Sequence, residues 1–347
     1  MSNALVISGG GAKGAYGVGV LDYINHDTTG GLPTFDAYVG TSSGALIAPF
    51  VALDRIPDLV HIFTSTTNDE VMFQRDLRGI TKKTSLFNTA PLESLIDTWL
   101  SDFDCDTLIN SSAKKIYLLT TCLQTKNLTV FTTDSTLNSS RYDIILIQSA
   151  QEFKEAMLAS ANQPILMPPI QVNKNRSSPD KAFQYVDGGV VEYVGTEIAM
   201  DAGAQSIFSI LLSSGLSDSA PKTFTKILDI AQITVDSLSA DVGANDERVP
   251  SLINDGLSYL DSIQKSLIHQ GVNKSIIQQA FDSYSSQNFN RIQPYNLNTI
   301  RPSKKLFSGL DALIFDPDNM KKMLELGRQD AKAYIMGKGV EPTVFLA

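Results

Sequence analysis

Ser42 stands in Gly40-Thr41-Ser42-Ser43-Gly44, a Gly-x-Ser-x-Gly run with strand-like Asp36-Ala37-Tyr38-Val39 before it and helix-like Ala45-Leu46-Ile47-Ala48-Pro49 after it. Glycine two positions to either side lets the backbone turn sharply and pushes the hydroxyl out above a sheet, at the positive end of the next helix. Ser43 lacks that pair of glycines. Ser42 is therefore the candidate nucleophile, with Gly40 and Gly44 framing its elbow. In a chain with 23 glycines, the pattern alone also describes an ordinary turn.

A second run changes that balance. Gly9-Gly10-Gly11-Ala12-Lys13-Gly14 follows strand-like Ala4-Leu5-Val6-Ile7 and precedes a helix-like run through Leu21, Tyr23 and Ile24. Backbone N–H groups gathered there at a helix N-terminus attract negative charge. Gly9-x-Gly11-x-x-Gly14 matches the dinucleotide fingerprint in form, but that fold also needs an acidic residue at the end of the second strand. Asp36 opens that strand, and Gly40-Thr41-Ser42 closes it. A P-loop fails more simply, because Lys13 lies before the last glycine. The better reading is an oxyanion hole of backbone donors around Gly10, Gly11 and Ala12, complementing Ser42. A nucleotide-binding module using Gly9 to Gly14 is the rival class, and it leaves Ser42 and Asp187-Gly188 without a use.

A serine nucleophile needs a base, and the histidines are His26, His61 and His269. Each reads as a surface or helix-end residue, although the order Ser42, Asp187, His269 suits a Ser-Asp-His triad. Asp187 itself is the alternative base. Phe183-Gln184-Tyr185-Val186 reads as a strand delivering it into Gly188-Gly189, at the carboxyl end where parallel α/β sheets place their chemistry. An ordinary Asp-Gly turn would look the same.

Gly9 to Gly14, Gly40 to Gly44 and Asp187-Gly188-Gly189, in this order and at this spacing, resemble the patatin-like phospholipase family. Ala159-Ser160-Ala161-Asn162-Gln163-Pro164 with Met167-Pro168-Pro169 is similar to the segment before that family's Asp-Gly dipeptide. Phe315-Asp316-Pro317 resembles the start of its C-terminal helix. The resemblance covers residues 1 to 55, 150 to 215 and 305 to 338. It implies a three-layer α/β/α fold and a Ser-Asp dyad, with no catalytic histidine, metal or cofactor. Ser42 would be the nucleophile, Asp187 the base that takes its proton and later activates water, and the glycine-rich loop the oxyanion hole. The implied activity is hydrolysis of lipid acyl esters, of the phospholipase A or lysophospholipase type. Lys13 stands where some members carry arginine; carboxylate pairing, a lipid headgroup and plain solvation are all open to it.

The elements that must hold these residues alternate. Strand-like runs at Ile116 to Cys122, Leu128 to Thr132, Ile144 to Ile147 and Ser206 to Leu212 intersperse with helix-like runs at Pro91 to Leu100, Gln151 to Ala159 and Val191 to Ala202. This pattern predicts a mixed or largely parallel sheet covered by helices. From Pro221 to about Ser286 the chain reads as helical, with Phe224, Ile227, Leu228, Ala231, Val235 and Leu238 spaced as one apolar face that should be buried. A lid is the rival reading for that stripe, as for the polar loop 173 to 182. Asp316-Pro317 should start the last helix, with Met320, Met323 and Leu324 facing inward. One domain over 1–347 is expected, with a mainly helical insertion or cap at about 221–300.

A net charge of −9 opposes nucleic-acid binding, so contact with a membrane surface should be transient, local and apolar. No secretory signal precedes the first strand, and no apolar run approaches the roughly 20 residues that span a bilayer. Cys105 and Cys122 read as free thiols. A cytoplasmic location is expected, and an effector exported without a signal peptide would carry the same features.

Overall fold

The structure, a computed structural model, describes residues 2–27, 32–76, 83–177, 179–215, 223–225, 227–283, 294–306 and 313–337. Its first elements are β1 (Asn3–Ile7), α1 (Gly14–Asp27), β2 (Ala37–Thr41), α2 (Ser43–Ala52) and α3 (Ile56–Ser65). Short α4 (Asn68–Val71) leads to a small antiparallel pair, β3 (Phe73–Gln74) and β4 (Phe87–Asn88). Next come α5 (Ala90–Trp99), α6 (Asp102–Ile109), β5 (Lys115–Cys122), β6 (Leu128–Thr132), β7 (Asp143–Leu146) and α7 (Ala150–Ala161). The rest comprises β8 (Tyr185–Asp187), α8 (Thr196–Asp201), β9 (Ser206–Ile210), α9 (Ile227–His269), α10 (Lys274–Ser283), β10 (Asn296–Ile300) and α11 (Pro317–Gly337).

Branched and aromatic side chains favour the pleated state, and they dominate the central strands. The sheet order is β10-β9-β1-β2-β5-β6-β7, with β8 added against β5. Its first five strands are parallel, and β6 and β8 each run antiparallel to β5. Side chains alternate across it with period two. Leu5, Ile7, Tyr38, Leu118 and Phe208 enter the larger core, shared with α1, α2, α3, α7 and α11. Ala4, Val6, Val39, Leu119 and Ile207 enter a smaller core with α8. Helices thus cover both faces of a mostly parallel sheet, giving the three-layer α/β/α arrangement.

Most expected elements form within a residue or two of their expected ends, with three differences. Val191 to Ala202 is not one helix. A 3-10 turn over Gly188–Val190 comes first, and α8 begins only at Thr196, because Gly195 adopts a left-handed φ of 88° against Val39 and Leu119. Second, the Asp187 strand is not parallel: β8 approaches β5 from the opposite direction. Third, the stripe at the start of α9 is not buried as one face. Leu238 is 59% exposed and Phe224 37%, while the side chains of Ile227, Leu228 and Ala231 lie outside the described residues.

The last helix closes the larger core. Asp316 Oδ1 accepts the Asn319 N–H at 2.8 Å, capping α11, and Met320, Met323 and Leu324 are buried. α11 crosses α1 where both carry glycine: a Cβ at Gly19 would strike the Leu324 carbonyl, and one at Gly327 the Tyr16 carbonyl. Asp22 pairs with Arg328 beside this crossing.

Candidate active site

β5 acts as the ruler of the site. Thr41, the last residue of β2, is opposite Leu119, and Asp187, the last residue of β8, is opposite Thr120. Two strands running toward each other therefore end one register position apart, bringing Ser42 and Asp187 face to face although they are 145 positions apart in the chain (187 − 42).

Ser42 has φ 56° and ψ −123°, a positive-φ conformation that strains any residue with a side chain. Its neighbours hold it there. A Cβ at Gly40 would collide with the Gly44 backbone, and one at Gly44 with the Ile7 carbonyl. The Ser42 N–H donates to Ser160 Oγ at 3.0 Å, and that hydroxyl donates to the Leu119 carbonyl at 2.6 Å. The Ser42 hydroxyl lies close enough to the Asp187 carboxylate to lower its pKa.

Asp187 is fixed from behind. Its N–H donates to the Asn162 carbonyl at 2.9 Å, and its Oδ1 accepts the Gly189 N–H at 2.8 Å. Gly188 has to be glycine, since a Cβ would sit 2.5 Å from the Leu119 carbonyl oxygen. Burial pushes the Asp187 pKa up from 3.8, while the hydrogen bonds from Ser42 and Gly189 pull it back, leaving it at about 6.

The glycine-rich loop lies against this pair. Gly9 donates its N–H to the Tyr193 carbonyl at 3.3 Å, and a Cβ at Gly9 would come within 3.1 Å of Ser42 Cβ. A 3-10 turn over Gly11–Lys13 leads into α1, with the Lys13 N–H returning to the Gly10 carbonyl at 3.2 Å. The N–H groups of Gly10, Gly11 and Ala12 precede that first donor, where a helix offers them no internal partner. Gly10 and Gly11 line the same cavity as Ser42 and Asp187, whereas Ala12 packs into the core behind them and Gly14 abuts Phe63. At the end of β2 the chain turns through Ser42 into α2, so no acidic side chain stands where a ribose would need one.

The histidines are elsewhere. His26 binds the Asp22 carbonyl at the end of α1, and exposed His61 lies beside the Trp99 ring on the surface of α3. His269 ends α9. That helix passes the site at Gly243, against Tyr193, and His269 lies 26 residues further on (269 − 243), about 39 Å along the axis. The Ser-Asp-His triad using His269 is therefore not formed, because the helix that carries this histidine leads away from Ser42.

The cavity holds about 1400 Å³. Its lining includes the apolar side chains of Leu46, Phe50, Phe63, Leu92, Ile96 and Trp99 and the charged ones of Lys13, Asp236, Glu247, Arg248, Arg301 and Lys305. Burial lowers the Lys13 pKa, with Asp236 opposing and Lys305 adding to the shift, so this lysine is not simply solvated. The segment before residue 241 contributes Phe224, Ile233, Val235 and Ala240 to the lining. The described residues of loop 173 to 182 line none of it; Arg176 Nε is anchored to Glu152 of α7 at 2.7 Å.

Residues that sequence reasoning left without a role complete the site. Ser160 and Asn162 lie in a segment noticed for its resemblance alone. Tyr193 packs over Gly9 and Gly189. Asp246 accepts the N–H groups of Tyr193 and Val194 at 2.6 and 3.1 Å, while Glu192 accepts that of Gly195 at 2.9 Å. Burial first, then repulsion from nearby carboxylates, raises the pKa of both acids. No short motif marks these contacts, because α9 meets the Tyr193 loop only in three dimensions. Among the described residues, no three His, Cys, Asp or Glu side chains gather as a metal ion would require, and no helix is long and apolar enough to cross a membrane.

The sequence model of the patatin-like phospholipase family matches residues 5–200. No curated protein matches the chain. Among solved structures, the crystal structure of VipD from Legionella pneumophila is similar at 10% identity and a TM-score of 0.41, over 97% of this chain and 67% of that one.

Proposed function

The chain belongs to the patatin-like phospholipase family and is thus a lipid acyl hydrolase, and from that premise we propose a two-residue serine mechanism acting on phospholipids or lysophospholipids. The observation that supports this reading is the Ser42 hydroxyl beside the buried Asp187 carboxylate, on a cavity that Gly10 and Gly11 also line. With a pKa of about 6, Asp187 is ionised at neutral pH yet more basic than an ordinary carboxylate, as a general base should be. It takes the Ser42 proton as Oγ attacks the ester carbonyl. The developing oxyanion is met by the amides of Gly10 and Gly11, with Ala12 behind them. Asp187 then returns the proton to the leaving alcohol, leaving an acyl-serine. In the second half Asp187 takes a proton from water as it attacks the acyl carbon, then returns that proton to Ser42 Oγ as the acyl–serine bond breaks and the fatty acid leaves.

The apolar lining suits an acyl chain, and Lys13, Arg301 and Lys305 suit a phosphate-bearing headgroup. We read residues 1–347 as one domain, with α9 and α10, the connection between paired β9 and β10, as a helical cap over the cavity. The free, buried thiols of Cys105 and Cys122 fit a reducing compartment.

The test is labelling with a fluorophosphonate followed by peptide mapping. Modification of Ser42 is expected; a modified residue elsewhere would overturn the assignment. Ser42→Ala and Asp187→Asn should each abolish release of fatty acid from a lysophospholipid while leaving the fold intact. Replacing His26, His61 and His269 together should leave most activity, and a folded but inactive triple variant would return the base to histidine.

A further inference from the structure

We propose that the C-terminal turn of α7 is the positioning device of the dyad, with Ser160 setting the nucleophile and Asn162 the base. This rests on the Ser42–Asp187 reading and adds to it two residues that touch no reacting atom.

Ser160 is a fully buried hydroxyl on a helix whose neighbouring residues, Phe153, Ala156, Met157 and Ala159, pack in the core. Such a group destabilises unless it is satisfied. It is satisfied by the nucleophile's own backbone and by the ruler strand: Ser160 Oγ accepts the Ser42 N–H and donates to the Leu119 carbonyl. At Ser42 the β2 ladder has ended and the hydrogen bonding of α2 has not begun. The N–H of a positive-φ elbow there has no regular partner, so Ser160 holds a conformation that regular structure does not.

Two residues on, the Asn162 carbonyl accepts the Asp187 N–H at 2.9 Å. Asn162 is itself pinned, its side-chain amide donating to the Pro168 carbonyl at 2.8 Å and to Thr89 Oγ1 at 3.2 Å. The backbone amides of nucleophile and base thus hang from positions i and i+2 of one turn. The register of β5 brings Ser42 and Asp187 to neighbouring positions; the α7 turn ties down the two backbone segments from which their side chains project.

A loosened Ser42 has a titration signature. The ionisable groups around Asp187 on the elements packed against it are Tyr193, above Gly9 and Gly189, and, across the cavity, Lys13 and Asp236. Of the two hydrogen bonds that hold the Asp187 pKa down, one comes from Ser42. If the hydroxyl shifts, that bond weakens and the pKa of the base rises.

The experiment compares Ser160→Ala, Ser160→Thr and Ser160→Val with the parent enzyme. Turnover is expressed per Ser42 site titrated with fluorophosphonate, so that misfolded protein does not count. Ser160→Ala should lower kcat by about 10- to 100-fold, as sub-ångström misplacement of reacting groups does, with KM changed by less than about twofold. The acid limb of its kcat/KM profile should move above pH 6, where the parent's is expected. Ser160→Thr, which keeps the hydroxyl, should exceed the equally shaped Ser160→Val in turnover per site. Ser160→Ala turnover within about twofold of the parent per site, or an unmoved acid limb, would overturn the proposal. A parent enzyme in which Ser42 takes no label would instead overturn the dyad reading beneath it.

Discussion

Asp187 is a carboxylate made to ionise where burial disfavours ionisation, and this conflict has a measurable consequence. Its folded pKa of about 6 lies above the ordinary 3.8, so its contribution to stability is fully present below 3.8 and lost as pH rises through about 6. Above that point the ionised form burdens the folded state by about 3 kcal/mol, the free energy that corresponds to so large a rise in pKa. Asn in its place keeps an acceptor for the Gly189 N–H and removes the buried charge. Asp187→Asn should therefore melt a few degrees above the parent at pH 8, and the difference should shrink below pH 6 and vanish toward pH 4. Identical melting curves at both extremes would contradict the burial assigned to this base. Strain at Ser42 belongs to the same trade, since its positive-φ backbone persists only while Gly40, Gly44 and Ser160 hold it.

Among the elements, β5 and the α1–α11 pair do different work. β5 fixes the site by register, and α1 with α11 fixes the larger core by close approach. Gly327 faces the backbone of Tyr16, and its Cβ would also lie 3.0 Å from the Val20 nitrogen, so a larger residue there must push the two helices apart. Gly327→Val should lower stability by about 1–3 kcal/mol or more in urea unfolding. Turnover per titrated Ser42 should stay within about twofold, because Gly327 and the Tyr16 and Val20 backbone it faces do not line the cavity. Unchanged stability would mean that the helices do not pack this closely. α9 is the opposite kind of element. It touches the site through Gly243 and Asp246, yet carries exposed Leu238, Leu252 and Tyr259 along its length. Its 3.6-residue periodicity is plain in the sequence, but which side of the helix meets the protein is not.

At the scale of the whole molecule, an acidic chain of net charge −9 places Lys13, Arg248, Arg301 and Lys305 around one cavity beside Asp187, Asp236 and Glu247, so the balance of charge there differs from the global one. The proposed mechanism holds its oxyanion with backbone amides and no cation, so EDTA should leave fatty-acid release unchanged, and NAD or ATP should not shift the melting temperature. Activity lost with EDTA and restored by calcium would refute a metal-free mechanism. The sequence by itself determined the family, the two glycine-framed turns that make Ser42 and Asp187 candidates, and most strand and helix positions. These are local matters: a sharp elbow needs glycine within two residues, and a strand needs a short apolar run. Tertiary structure alone decided that β8 runs against β5, that His269 is carried away from the site, that the α9 stripe stays partly exposed, and that Ser160, Asn162 and Asp246 hold the backbone of Ser42, Asp187 and Tyr193. Those last contacts join partners 25 to 118 positions apart in the chain (187 − 162 and 160 − 42), a separation at which a residue's type says nothing about what it will meet.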